Sequence, residues 1–183
     1  MSTENNKIKE VLDFLDQHNI GYKLHTHPPL PTIELALEYW KDIDSTHCKN
    51  LFFRNHKGNR HYLVVFECHK SLDIHSLEKM LCQGKLSFAS AERMERCLGL
   101  LPGSVSPLGL IHDMQTEELS KEHFPNGHRV KLFLDKDLQT AERISFHPCD
   151  NTGSVVLSNE GFHRFLEIWG GEYEWLDVSQ ELV

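Results

Sequence analysis

The sequence predicts a mixed α+β fold in one domain, and three observations lead there. Apolar patterns of helical and of strand period alternate along the chain. They do so without a regular strand–helix–strand spacing and without an internal repeat. The 183 residues, 39% hydrophobic and 25% charged with 11 Gly and 7 Pro, are enough for one core and suit neither a disordered nor a fibrous chain.

In chain order, Ile8, Val11, Leu12 and Leu15 recur at helical spacing and are followed by Asn19 and Gly21, so residues 5–19 predict an amphipathic helix. Tyr22 to His25 predicts a short strand. The stretch His27-Pro28-Pro29-Leu30-Pro31 cannot be helical, because proline lacks an N–H and restrains its predecessor. Thr32 then caps a helix carrying Ile33, Leu35, Ala36 and Tyr39. Residues 51–54 and 61–66 are apolar runs around a Gly-containing loop and predict a hairpin. Helices are expected at 73–82 and 90–98, with β-prone Lys85 to Phe88 between them. Strands are expected near Val105–Ile111, Val130–Leu134, Ile144–Phe146 and Ser154–Leu157. A last helix bears Phe162, Phe165, Leu166 and Trp169 and ends at Gly170-Gly171 through a left-handed cap.

Charge is unevenly spread. Residues 1–40 sum to −3, residues 41–96 to +3 and residues 97–183 to −8, which gives the formal net charge of −8. The total argues against sequence-independent coating of nucleic acid and against DNA as a partner, because such binding needs many phosphate-neutralising cations. A small footprint on the basic middle third remains open. Glu172, Glu174, Asp177 and Glu181 predict a solvated acidic tail over 171–183, beyond a core of about 5–170, in a single domain of 1–183. Five cysteines, an odd number without a CxxC pair, together with no apolar leader, predict a reducing, cytoplasmic setting. No apolar run approaches the roughly 18 residues that span a bilayer, so no membrane is expected.

Chemistry is sought next among the side chains. Thirteen histidines raise the question of a metal, but His25-x-His27, His47-Cys48 and Cys68-His69 match no usual zinc spacing, so no metal and no cofactor are expected. Cys149, two residues from His147, is the one suggestive Cys/His pair for a covalent nucleophile, and it carries no known signature. There is no GxSxG, P-loop or GxGxxG. Three stretches place polar groups at strand edges or in Gly/Pro loops, where a scaffold presents them: Lys49-Asn50-Leu51-Phe52, Gly103 to Gly109, and Phe146-His147-Pro148 with Asn151-Thr152. Read alone, Lys49 is a surface lysine and the Gly103 loop a turn. Held at a pocket mouth, the ammonium would attract phosphate or carboxylate, and the loop would offer bare backbone groups to a ligand.

Taken together, "HPPLPTIELA", "KNLFFRN-KG--HYLVV", "LSFASAERMERCLGLLPGSVSPLGLI" and "FHP-DNT" resemble the prolyl-tRNA editing family, the free-standing aminoacyl-tRNA deacylases, in order and spacing over roughly residues 5–170. The branch most resembled removes alanine from mischarged tRNA for proline. The resemblance implies a single compact α+β domain with a mixed, barrel-like sheet flanked by helices. It implies that Lys49 helps hold the tRNA 3′ end or the ester, with Asn50 beside it. It carries the family's GxxxP loop onto Gly103, Ser104, Val105, Ser106 and Pro107, and makes Gly103 part of the catalytic backbone and the rest of the loop substrate-binding. It sets His147 in the acyl pocket. Mischarged tRNA is the implied partner, gripped at its acceptor end, and prolyl-tRNA synthetase is left open as a second. Two alternatives stand beside alanyl-tRNA: another small ester such as cysteinyl-tRNA, and a non-catalytic module that binds tRNA or a synthetase.

Overall fold

The structure is a computed structural model and describes residues 3–30 and 32–178. Helix α1, Thr3–Gln17, ends where Asn19 takes a left-handed φ of 54°. Strand β1, Tyr22–Thr26, leads into helix α2, Ile33–Trp40, whose first turn is closed by Thr32 Oγ1 accepting from the Leu35 N–H. Pro31 lies outside the described residues. Strands β2, Thr46–Arg54, and β3, His61–Glu67, form the expected hairpin. Helices α3, Ile74–Leu81, and α4, Ala91–Leu98, begin at the capping side chains Asp73 and Ser90 and flank β4, Ser87–Phe88. Strands β5, Val130–Asp135, β6, Arg143–Phe146, and β7, Gly153–Ser158, precede helix α5, Asn159–Trp169, which ends at Gly170 with φ 74° as the left-handed cap requires. Strand β8, Tyr173–Leu176, follows.

The eight strands form one mixed sheet in the order β1-β7-β6-β2-β3-β5-β8, with β4 added to β2. β2 joins its two wings. Thr46 and His47 pair in parallel with Ile144 and Ser145, while Cys48 to Arg54 pair antiparallel with β3. The main core lies between the sheet and α1, α4 and α5, around Leu15, Leu98, Phe162 and Phe165. A second cluster, including Phe53, Phe133 and Leu77, lies against α3. A third and small one, Leu30, Ala36, Trp40 and Cys68, lies under α2.

Three expectations are corrected. The predicted strand at 105–111 is a 3-10 helix, Pro107–His112. Pro107 has no N–H to give a ladder, Ser106 Oγ caps the turn by accepting from the Leu108 N–H, and Gly109 packs so near α4 that a Cβ would meet the Leu98 carbonyl oxygen at 2.8 Å. The predicted acidic tail is in part a strand: β8 runs parallel to β5, its Leu176 is buried, and Lys131 Nζ lies 3.1 Å from Glu172 and 3.2 Å from Glu174. The acidic side chains therefore line an ordered sheet edge, and Glu181 lies outside the described residues. Finally, β2 starts five residues before the apolar run, because Thr-His-Cys-Lys-Asn is held by two neighbouring strands whatever its own polarity.

Candidate active site

The polar start of β2 is where the candidate site forms. A cavity of about 250 Å³ is lined by α2 (Ala36, Trp40) with Leu30 and Thr32 before it, by Cys48 to Leu51 of β2, by Gly103 and Val105, and by His147 just beyond β6. Of the residues expected from sequence, Lys49, Asn50, Gly103, Val105 and His147 meet at this cavity, from segments far apart in the chain. Ser104, Ser106 and Pro107 do not line it: all three are buried, and Ser106 and Pro107 build the first turn of the 3-10 helix. Leu30, Thr32, Ala36, Trp40 and Cys48 are additions that sequence reasoning missed. The signal for Ala36 and Trp40 was the helix after the proline run, whose apolar side chains had no assigned partner.

Gly103 has φ 89°, which an L side chain adopts only with strain, while a Cβ there would meet only Asn151 Nδ2, at an ordinary 4.0 Å. The glycine therefore serves the turn of the loop. Lys49 is half-buried, and its Nζ donates to the Lys70 carbonyl at 3.2 Å. Among the described residues no carboxylate lies within salt-bridge distance of it, so the ammonium keeps donor directions for an anionic or carbonyl ligand.

His147 Nδ1 lies 3.0 Å from the Gly153 carbonyl, which assigns the ring proton to Nδ1 and leaves the Nε2 lone pair as acceptor. Burial holds this histidine below its usual range, with the Gly153 hydrogen bond opposing the shift. The ring is neutral at pH 7. His47, likewise lowered by burial, lies flat against Trp40, with centroids 4.6 Å apart and an interplanar angle of 1°. Its Nε2–H is shared by the Trp40 and Ile43 carbonyls, so its Nδ1 accepts from Ser145 Oγ at 2.8 Å. His27 Nδ1 faces the Pro28 carbonyl, and its Nε2 accepts from Ser154 Oγ at 2.9 Å. These histidines position neighbours by hydrogen bonds.

Burial pushes the thiols of Cys68 and Cys149 up to about 12 and that of Cys48 well above the usual range. All three are protonated, which removes the thiolate that nucleophilic attack requires. Glu67, Cys68 and His69 do gather within 4.8 Å of one another, yet the His69 and Glu67 side chains bond each other at 2.6 Å and Cys68 Sγ donates to Glu67, so hydrogen bonding accounts for the cluster. Among the described residues no helix is long and apolar enough to cross a membrane.

Comparison with known proteins gives a consistent picture. Residues 27–165 match the family model described as the aminoacyl-tRNA editing domain. The chain is 34% identical over 170 residues to the prolyl-tRNA editing protein ProX of Acetoanaerobium sticklandii, covering 92% of this chain and 95% of that one. It is 29% identical over 148 residues to the mouse prolyl-tRNA synthetase associated domain-containing protein 1, covering 79% and 80%. A crystal structure of a candidate trans-editing enzyme for prolyl tRNA synthetase superposes with a TM-score of 0.64 at 19% identity, over 97% of this chain and 98% of that one.

Proposed function

The chain belongs to the aminoacyl-tRNA editing domain family, among its prolyl-tRNA editing members, and from that premise we propose that it is a cytoplasmic hydrolase acting in trans to remove alanine from mischarged tRNA for proline. The observation that carries the reading is the meeting of Lys49, Asn50, Gly103, Val105 and His147 on one cavity.

The bond to be cleaved is the ester between the amino acid and the terminal ribose hydroxyl. With the thiols near the cavity protonated, water attacks the carbonyl carbon, and negative charge grows on the carbonyl oxygen. The Lys49 ammonium stands at the same cavity as the Gly103 loop, whose backbone is bare at the glycine, and cations and fixed N–H dipoles lower the energy of such an oxyanion. Holding the ester against these groups supplies most of the remaining advantage by fixing orientation. Apolar Leu30, Ala36 and Val105 give the acyl group a wall to pack on. A synthetase pocket built for proline cannot reject alanine strongly, since a methylene is worth only about 1–3 kcal/mol, so destroying the product is the economical correction. The acceptor end is single-stranded, so few phosphate contacts are needed and the net charge of −8 is no obstacle.

The test is a deacylation panel on tRNA for proline carrying alanine, cysteine or proline. Alanine should be released fastest and proline spared. Faster release of cysteine would reassign the acyl group, and binding of all three esters without turnover would replace the hydrolase by a tRNA-binding module. The name of the mouse relative favours prolyl-tRNA synthetase as a further partner, which co-purification with that enzyme would test.

A further inference from the structure

Beneath the main cavity lies a recess of about 10 Å³, the room of one water or one ammonium group. The two share Trp40, Cys48, Asn50 and His147 in their walls. Among the described residues, two of the buried side-chain polar atoms that lack a hydrogen-bond partner sit on residues that line this recess: the indole Nε1–H of Trp40 and Oδ1 of Asn50. Trp40 is only 7% exposed, and its ring is locked flat on His47. Leaving a buried donor or acceptor unpaired costs about 1–3 kcal/mol, so a pair of them in one recess calls for a ligand that satisfies both.

One of the two is a donor and the other an acceptor. Three further side chains on the recess add acceptors. Ser145 and Ser154 spend their O–H groups on His47 and His27, which leaves lone pairs, and His147 presents Nε2 because Nδ1 faces Gly153. An unpaired N–H donor beside several uncharged acceptors matches an α-amino ester, which carries a three-donor ammonium and a carbonyl oxygen on adjacent carbons.

We propose that Trp40 and Asn50 read the α-amino ester of the substrate: Asn50 Oδ1 accepts from the α-ammonium, and Trp40 Nε1–H donates to the carbonyl oxygen as negative charge grows there. The assignment rests on the proposed editing reaction for its substrate, and it makes Trp40 a catalytic residue that the sequence did not indicate. Placing the ammonium in the recess leaves the methyl group to the Leu30, Ala36 and Val105 wall, so the two ends of a small amino acid are read by different chemistry.

Two measurements test it. In the first, the wild-type protein is given alanyl-tRNA and its lactyl analogue, in which a hydroxyl replaces the ammonium. Alanyl ester should turn over at least about tenfold faster, and Asn50→Ala should bring that ratio near one. Trp40→Phe keeps the ring and deletes the donor; kcat should fall roughly 100-fold with little change in KM. Equal turnover of the two esters by the wild type, or an unchanged kcat in Trp40→Phe, overturns the proposal. Should Trp40→Phe fail to fold, the substrate comparison still decides the ammonium site and the indole titration on the wild-type protein decides Trp40.

The second measurement needs no turnover. Of the three indole N–H resonances of Trp40, Trp169 and Trp175, that of Trp40 should shift on titration with L-alaninamide and not with lactamide. Equal shifts with both would reduce the recess to an internal water site and overturn the proposal. A selective shift in a protein that deacylates no tRNA would keep this assignment and sink the editing reading, whereas turnover without a selective shift would do the reverse.

Discussion

Two tryptophans are buried in different clusters, and they differ in one respect. Trp169, 2% exposed at the end of α5, donates its Nε1–H to the Asp113 carbonyl at 3.2 Å and lies 3.4 Å from the Asp113 carboxylate. That carboxylate also accepts from the backbone N–H groups of Arg129 and Val130, and His128 lies edge-on to the indole. The Asp113 carboxylate, the indole N–H and His128 Nδ1 all have partners there, and Trp169 belongs to the main core. Trp40, 7% exposed, sits in a cluster of four buried residues with no partner for its N–H and a cavity beside it. A closed network holds structure together, while an open donor at a cavity waits for a ligand. The first tryptophan serves the fold and the second the reaction.

That contrast can be broken in several ways, the largest at the closed network. Asp113→Ala strips a buried acceptor from three N–H donors and from His128, and should cost about 3–5 kcal/mol of stability in urea unfolding. A loss below about 1 kcal/mol would mean the network is ornamental. Next comes His61, which combines both conditions: its Nε2 lies 2.9 Å from Arg93, and its Nδ1 has no partner. Burial lowers its pKa to about 4, with Glu122 opposing and Arg93 reinforcing the shift. The unfolded chain takes up a proton near pH 6.5 and the folded one only near 4, so this stability is fully present above about pH 6.5. It is lost as pH falls, amounting to about 3 kcal/mol by pH 4. His61→Gln should flatten that limb of the stability profile; an unchanged slope would clear His61 of the cost.

Smaller effects are expected at the open site. Lys49→Ala should cut deacylation roughly 100-fold, about 2.7 kcal/mol, while leaving the melting temperature near that of the wild type. A parallel loss of both would turn Lys49 into a structural residue. Since His147 must stay neutral to accept, activity should fall only below the usual histidine range, as its burial-lowered pKa requires. A decline centred near 6.5 would place the ring in a wetter setting. The smallest effect is the stability change in Trp40→Phe, under about 1 kcal/mol, because the lost N–H has no protein partner to abandon. A loss several times larger would erase the distinction between the two indoles.

Much of this was legible in the chain. Helix caps at Thr32 and Gly170, the hairpin at 51–66 and the strands at 130–134, 144–146 and 154–157 follow local rules of period and turn chemistry, and the structure keeps them. What failed was set from outside the segment. Residues 105–111 have strand composition, but proline and a capping serine wind them into a 3-10 turn against α4. The residues of β8 look like a solvated tail until β5 offers them a parallel partner and Lys131 offers them charge.

The same division holds for the site. Sequence by itself determined the family, and through it the lysine, the glycine loop and the histidine, because such residues sit in fixed local motifs that survive being read as a string. Tertiary structure alone decided that these meet at one cavity, that Ser106 and Pro107 belong to a turn, and that Trp40 and Asn50 face a recess with a free donor and a free acceptor. The reason is physical: burial, desolvation and unpaired hydrogen bonds are properties of a neighbourhood drawn from distant segments, and no residue carries them along the chain.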